Sequence, residues 1–378
     1  MNEMTRQFPT TDFSARLKAL TAEPSRDVAG DAHRLARVER TRTEMMTQGA
    51  AIADTLAIEA PAVEVIATRL KKLGIGQVVI AGCGDSWFIG AGVRHAWESL
   101  TGVPLEAAQA LDYACYGSAA ATPQTLVMGI SAGGATAAVL SALQAARQRG
   151  AFTLGISNTP ASQILTEFDA ALVVRASRKG WPTQSSTATM ALLIRLAQRW
   201  ADTPGAAALG AELDAVPALV DALVVAVDDQ MAMIAYEAAS ARLILFAGLG
   251  PNYAAAAFGA AKIKELSPVH ALAMQLEEYH HYRTQKAGDP LFLVATDAAS
   301  YERALDTALV SHASGAWTVA ILSEDLPEIE ARVRHVVRVP RVRKELAALV
   351  ASIPLHLFAY HFAKARDALG LGTPGAFP

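Results

Sequence analysis

Cysteine is nearly absent: Cys83 and Cys115 are the only two in 378 residues. That scarcity excludes a disulfide scaffold and implies a reducing compartment. Long apolar runs are missing too. The longest, 215–227, is interrupted by Pro217 and Asp221 and is too short to span a bilayer. The first thirty residues are polar and broken by prolines, so no signal peptide is expected there. Charge of one sign is lacking as well, with 33 Lys and Arg against 36 Asp and Glu. A nucleic-acid partner would need a basic cluster, and none is long enough. The locally basic stretch 332–344 alternates with Val and reads as a strand edge and the loop after it. What is present is 52% hydrophobic and 18% charged, the composition of an Ala-rich, well-buried globular protein. A cytoplasmic protein of two domains is expected at this length.

The chain repeats itself. Gln77 to Gly84 and Arg242 to Gly250 are each an apolar run ending in a Gly-x-Gly turn, followed by a helix of small residues. Later segments correspond in the same order: 125–130 with 290–295, 152–156 with 317–321, and 171–174 with 336–339. Helical patterns lie between them, as at 135–149 and 301–311. Strands alternating with helices predict βαβ units, parallel sheets covered on both faces, and so two doubly wound α/β domains. The expected division is an N-terminal arm and helix over 1–44, a first domain over 45–205, a linker and connecting helix over 206–234, a second domain over 235–365 and a tail over 366–378. The helix near the N-terminus is expected from about Asp31 to Ala50.

In such sheets ligands bind beyond the carboxyl ends of the strands, where backbone amides and helix N-termini face anions. Three segments of the first unit belong there: Cys83-Gly84-Asp85-Ser86, Ser131-Ala132-Gly133-Gly134-Ala135-Thr136, and Ser185-Ser186-Thr187 after Pro182. Hydroxyls and glycine amides at helix starts suit a sugar phosphate. Each segment taken singly reads better as a helix cap; three at one edge of one sheet favour an anion site. A dinucleotide site would need a third glycine where Trp87 stands, so no nicotinamide cofactor, and no cofactor of any kind, is expected. In the second unit Lys262 and Glu265 are three apart and share a helix face, with Glu278 and His281 further on. A base, a cation and imidazoles within twenty residues suit proton transfer, although a solvated helix face explains the same charges. A zinc site from His270, Glu278, His280 and His281 fits no recognised ligand spacing, and no metal is expected.

Gly248-x-Gly250, Gly259-Ala-x-Lys262-x-Lys-Glu265, His270 and Glu278-x-x-His281 together resemble the double sugar-isomerase (SIS) proteins. That family includes the isomerase half of glucosamine-6-phosphate synthase, fructosamine 6-phosphate deglycases and amino-sugar-phosphate isomerases. The likeness runs from about Met45 to Lys364, and 353–361 resembles the family's closing helix. It implies two tandem SIS domains of the flavodoxin-like three-layer αβα kind. It also implies a small-molecule phosphosugar or amino-sugar phosphate as ligand, and a homodimer.

By the resemblance Glu265 is the base that moves a proton between C1 and C2, and Lys262 lies beside the sugar. His281 opens the ring, reaching a partner subunit's pocket, and Glu278 is a carboxylate of the same loop. Ser86, Ser131, Gly134, Thr136, Ser186 and Thr187 match the family's anion loops. Ala132, Gly133 and Asp85 depart from them, Gly133 by losing a serine hydroxyl and Asp85 by adding a negative charge. Ala188 stands where a lysine is usual, and Tyr282-Arg283 where Gly-Pro is. The tail 371–378 has no lysine with which to cover the sugar.

The implied activity is that of a phosphosugar isomerase, or an amino-sugar-phosphate isomerase, deaminase or deglycase. A non-catalytic sugar-phosphate sensor is the alternative, and a structural subunit a third. Sensors of this kind carry a DNA-binding helix-turn-helix, for which residues 1–40 have neither length nor basic face. Glutamine-dependent ammonia transfer is not expected, since Asn2 stands where a glutaminase has its cysteine.

Overall fold

A computed structural model describes residues 13–20, 28–201 and 203–372. Three helices come first: α1 (Phe13–Leu20), α2 (Ala32–Met46) and α3 (Gln48–Leu73). The first unit then runs β1 (Gln77–Gly82), α4 (Asp85–Thr101), β2 (Leu105–Gln109), α5 (Ala110–Cys115), β3 (Thr125–Ile130) and α6 (Ala137–Gln148). It closes with β4 (Phe152–Ser157), α7 (Gln163–Thr166), β5 (Ala170–Val173) and α8 (Gln184–Trp200). A single helix of 35 residues, α9 (Pro204–Ala238), crosses to the second unit without breaking at Pro217. There follow β6 (Leu243–Gly248), α10 (Pro251–Leu266), β7 (His270–Gln275), α11 (Leu276–Tyr282), β8 (Pro290–Ala295) and α12 (Ala298–Ala313). Last come β9 (Trp317–Leu322), α13 (Pro327–Glu330), β10 (His335–Arg338) and α14 (Ala347–Ala368).

Each unit is a five-stranded parallel sheet between helices. The orders β2-β1-β3-β4-β5 and β10-β9-β8-β6-β7 are the same order met from opposite edges, the flavodoxin-like arrangement with its switch point between the first and third strands. The central strands are unbroken apolar runs because both faces are covered. β2 and β7 are the strands that the sequence pattern hides. Both lie at an edge, both are half exposed, and neither carries a β-branched residue. The single helix expected from Asp31 to Ala50 is two, α2 and α3, which meet at Thr47. Asp31 starts α2 by accepting from the backbone N–H groups of His33 and Arg34. Most of the expected N-terminal arm, and the tail beyond residue 372, lie outside the described residues.

The two Gly-x-Gly turns have the same geometry. A side chain at Gly82 would land on the backbone of Ser86, and one at Gly248 on the backbone of Asn252. Gly84 and Gly250 hold φ of 55° and 56°, in the left-handed region that glycine enters at no steric cost. Strand and helix are therefore joined at the closest approach a backbone permits.

Helix α10 does the packing between units. Ala254 to Ala257 and Gly259 to Ala261 are all buried, so it lies close to α4, α14 and its own sheet. A side chain at Gly92 of α4 would begin 3.1 Å from the methyl of Ala348 and 3.4 Å from that of Ala254. The helices α4 and α10 run antiparallel, so the first residue of α4 meets the last turns of α10.

Gly248→Ala is expected to destabilise the protein by about 3 kcal/mol, because the added methyl has only backbone to push against. Urea unfolding of the two proteins measures it; a loss under 1 kcal/mol would mean that the turn relaxes.

Candidate active site

At the crossing of α4 and α10 a lysine is sealed inside the protein. Lys262 has no exposed surface, and its ammonium lies 2.6 Å from Asp85 Oδ2 and also bonds Glu265 Oε2. Asp85 is the first residue of α4 and sits where a helix N-terminus favours a carboxylate. Glu265 lies one turn beyond Lys262 on α10, the spacing that puts two side chains on one face. The pair joins the units: the carboxylate of one holds the cation of the other.

Burial alone would push the Lys262 ammonium down, but Asp85 and Glu265 outweigh it and hold the group above its ordinary value, hence charged. Glu265 goes the opposite way. Burial and the second carboxylate at Asp85 push it up to about 7, against the pull of Lys262. A third of its side chain still reaches the surface, so it can exchange protons with solvent. Behind Lys262, the fully buried His356 is pushed down to about 3, by burial first and by the lysine's charge second, so it is neutral. Both of its ring nitrogens lack a hydrogen-bond partner.

Asp85 also lines a small cavity at the carboxyl edge of the first sheet, with about 300 Å³ of empty space when its open mouth is included. Ser86, Ala132, Ser185 and Ser186 of the expected anion loops share that cavity, with Ile130, Ile156 and Val174 as its apolar floor. Ser186 Oγ donates to Asp85 Oδ2 at 3.3 Å, and Ser185 Oγ donates to Asn158 Oδ1 at 2.7 Å. The loop 131–136 is held by its own hydroxyls. Ser131 Oγ lies 2.8 Å from Thr136 Oγ1 and accepts from the backbone N–H of Gly134. Gly134 has φ of 74°, and a side chain there would strike Ser162 and Ser157.

Not every expected residue gathers here. Thr187 is fully buried and turns its hydroxyl to Gln48 and to the preceding turn of α8, away from the cavity. Cys83 packs against the opposite face of the sheet, where burial pushes its thiol up, offset in part by a backbone hydrogen bond from Ala110. Glu278 and His281 lie exposed on α11, at the carboxyl end of the second sheet. Lys262 is eleven residues along α10 from that end, about 17 Å away along the helix axis. One chain therefore does not bring His281 to Lys262. Glu277, not Glu278, is the paired acid of that helix, at 2.5 Å from Arg303 and 3.5 Å from His281. His270 begins the edge strand β7 and is exposed, rather than buried in a core or held in a loop. Among the described residues no three His, Cys, Asp or Glu side chains are grouped to hold a metal ion, and no helix is long and apolar enough to cross a membrane.

Sequence reasoning passed over three residues of the cavity region. Ser157 and Asn158 end β4 at the same sheet edge, so the rule that selected 131–136 also selects them. Arg178 had no such signal. Its guanidinium lies over Gly133, 2.9 Å from where a side chain would begin, and donates to Thr159 Oγ1 at 3.4 Å. A serine at 133 would collide with it, so the missing hydroxyl is replaced by a charge. The buried Glu44 fixes that loop by accepting from Ser177 Oγ at 2.7 Å and from the backbone N–H of Lys179 at 2.6 Å.

A larger cleft, with about 740 Å³ of empty space, opens between α3, α8 and α9. Its charges are already matched, Arg195 with Asp214 and Arg199 with Glu64, and its walls are Ala, Leu and Val. Its charged groups are spent on one another, and the smaller cavity is the candidate site.

A family model described as "SIS domain" matches residues 74–198 and 238–366, one match per unit. The glutamine–fructose-6-phosphate aminotransferase (isomerizing) of Corynebacterium diphtheriae is 31% identical over 310 residues, 77% of this chain and 49% of that protein. The chain thus spans about half the length of the curated relatives it matches. Among solved structures, the C-terminal domain of glucosamine-fructose-6-phosphate aminotransferase from Francisella tularensis superposes with a TM-score of 0.74 at 23% identity, covering 86% of this chain and 96% of that one. Glucosamine-6-phosphate deaminase from Thermotoga maritima does so with a TM-score of 0.64 at 18% identity, covering 86% and 94%.

Lys262→Met leaves Asp85 and Glu265 facing each other without their cation. We expect a loss of about 3–5 kcal/mol in urea unfolding, the cost of breaking a buried ion pair from one side. A neutral substitution would show that the cluster is solvated after all.

Proposed function

The chain belongs to the SIS-domain family, carrying that domain twice, and from this we propose that it is an enzyme that isomerises a sugar phosphate by moving a proton between adjacent carbons. The observation that carries the proposal is Glu265: a carboxyl poised near neutrality, partly exposed, and bound to a buried cation beside the anion-type loops. A base for a proton next to a carbonyl works best when its pKa lies near the operating pH. Lys262 fixes that carboxylate and supplies positive charge in a low-dielectric site, where it counts most against a developing oxyanion. In this reading Ser185 and Ser186 rotate their hydroxyls from Asn158 and Asp85 to the phosphate, and the loop 131–136 and Arg178 complete its site, the hydroxyls and amides by hydrogen bonds and the guanidinium by charge. The same proton transfer begins the reactions of isomerases, deaminases and deglycases of amino-sugar phosphates. A sensor would have no use for a carboxyl tuned in this way.

His281 and Glu278 face outward, and we assign them to the site of a second copy of the chain. The working enzyme is then a cytoplasmic homodimer with sites completed across the interface.

Glu265→Gln is expected to abolish exchange of the C2 proton with deuterium in bound hexose 6-phosphates while leaving their binding intact. The base acts only when deprotonated. With its carboxyl pushed up to about 7, exchange by the wild type should rise as pH goes from about 6 to about 8 and then level off. Exchange that survives in the variant would assign the base elsewhere.

A mixture of two inactive variants, Glu265→Gln and His281→Ala, tests the shared site. Random reassortment gives half heterodimers with one intact site each, so about a quarter of wild-type activity should return. If each variant stays inactive in the mixture, or if His281→Ala is active alone, His281 serves no neighbouring site.

A further inference from the structure

One oxygen in the cavity has no partner. Asp85 gives Oδ2 to Lys262 and Ser186, while Oδ1 is shielded from solvent and accepts no hydrogen bond. The side chain is nine-tenths buried, yet Asp85 is among the residues that line the cavity. An unsatisfied buried carboxylate oxygen is costly, and at a cavity wall a ligand can relieve that cost. The relief must come from a donor, since a carboxylate oxygen only accepts.

Charge narrows the class of donor. Asp85, Lys262 and Glu265 sum to −1 when both carboxylates are ionised. A sugar hydroxyl would satisfy the hydrogen bond and leave that charge in place. A protonated amine satisfies both, and bonds between charged partners are the stronger kind. The serines assigned above to the phosphate, Ser185 and Ser186, line the same cavity as Asp85, so one ligand can reach both.

We propose that Asp85 is a specificity-determining residue whose Oδ1 accepts an N–H from a cationic nitrogen of the substrate, so that the site selects amino-sugar phosphates over their hydroxyl counterparts. The proposal rests on the sugar-phosphate isomerase assigned above and names the substrate class of that same site. Asp85 also explains how an acidic residue is tolerated beside an anion site. Its charge is offset in part by the lysine that it shares with Glu265, so the phosphate meets a paired rather than a bare carboxylate.

The test compares two pairs of sugar phosphates by titration calorimetry and by C2 proton exchange. One pair is glucosamine 6-phosphate with glucose 6-phosphate; the other is 1-amino-1-deoxyfructose 6-phosphate with fructose 6-phosphate. The wild type should prefer the amine in at least one pair by about tenfold or more. Asp85→Asn should erase that preference. The asparagine turns its oxygen to Lys262 and its NH₂ to the cavity, which exchanges an acceptor for a donor. Asp85→Thr keeps a hydroxyl there without the charge, and should bind the amine no more tightly than the hydroxyl sugar. Equal affinity of the wild type for both members of each pair, with proton exchange intact, overturns the role of Asp85 and leaves the isomerase standing. An amine preference that persists in both variants overturns it as well, since the nitrogen is then read by another group. No binding or exchange with any of the four overturns the isomerase and the proposal together.

Discussion

The arrangement depends on one enclosed charge. An ammonium removed from water costs several kcal/mol unless it is paired well, and Lys262 is removed from it completely. Its two carboxylates come from different places, one from the start of α4 and one from its own helix. Satisfying the lysine therefore fixes how the two units meet. The alanines and glycine of α10 allow the approach that makes the pairing possible. In return the lysine, together with the surrounding burial, sets the properties of Glu265. The same contact thus organises the interface and tunes the candidate base.

The duplicated frame has been used differently in its two halves. At the carboxyl edge of the second sheet, Asn252 donates to Asp297 at 3.0 Å and accepts from Thr296 Oγ1 at 2.6 Å. Its polar groups bond one another, and a carboxylate, Asp297, stands where the first unit has the uncharged side chain of Ala132. An anion would meet repulsion there rather than free donors. The first unit has the pocket, and the second supplies Lys262 and Glu265 from the far end of its helix.

Much of this was legible in the sequence. The apolar runs, the paired Gly-x-Gly turns and the order of the repeated segments gave the doubly wound units and eight of the ten strands. Strands β2 and β7 escaped because neither carries a β-branched residue, whereas the other two edge strands, β5 and β10, carry valines. Spacing placed Lys262 and Glu265 on one face. Nothing in it could say that the face is buried, because the residue that makes burial tolerable, Asp85, lies 177 positions earlier. Read locally, Asp85 is an obstacle to an anion; read across the interface, it is the lysine's counter-ion. Thr187 shows the opposite error, a hydroxyl in a promising segment that turns out to hold a helix together. Arg178 was invisible for a similar reason, since the space it fills is defined by what Gly133 lacks.

The shared lysine also bears on modularity. A tandem repeat suggests halves that fold separately and can be exchanged like beads on a string. Here the second half, cut free, would expose the alanine face of α10 and leave Lys262 with Glu265 alone, while the first would bury Asp85 without its cation. One continuous apolar core already runs through both, from Val38 in α2 to Ala363 in α14. With their apolar core and their buried charge held in common, the two copies are expected to unfold together as one cooperative body.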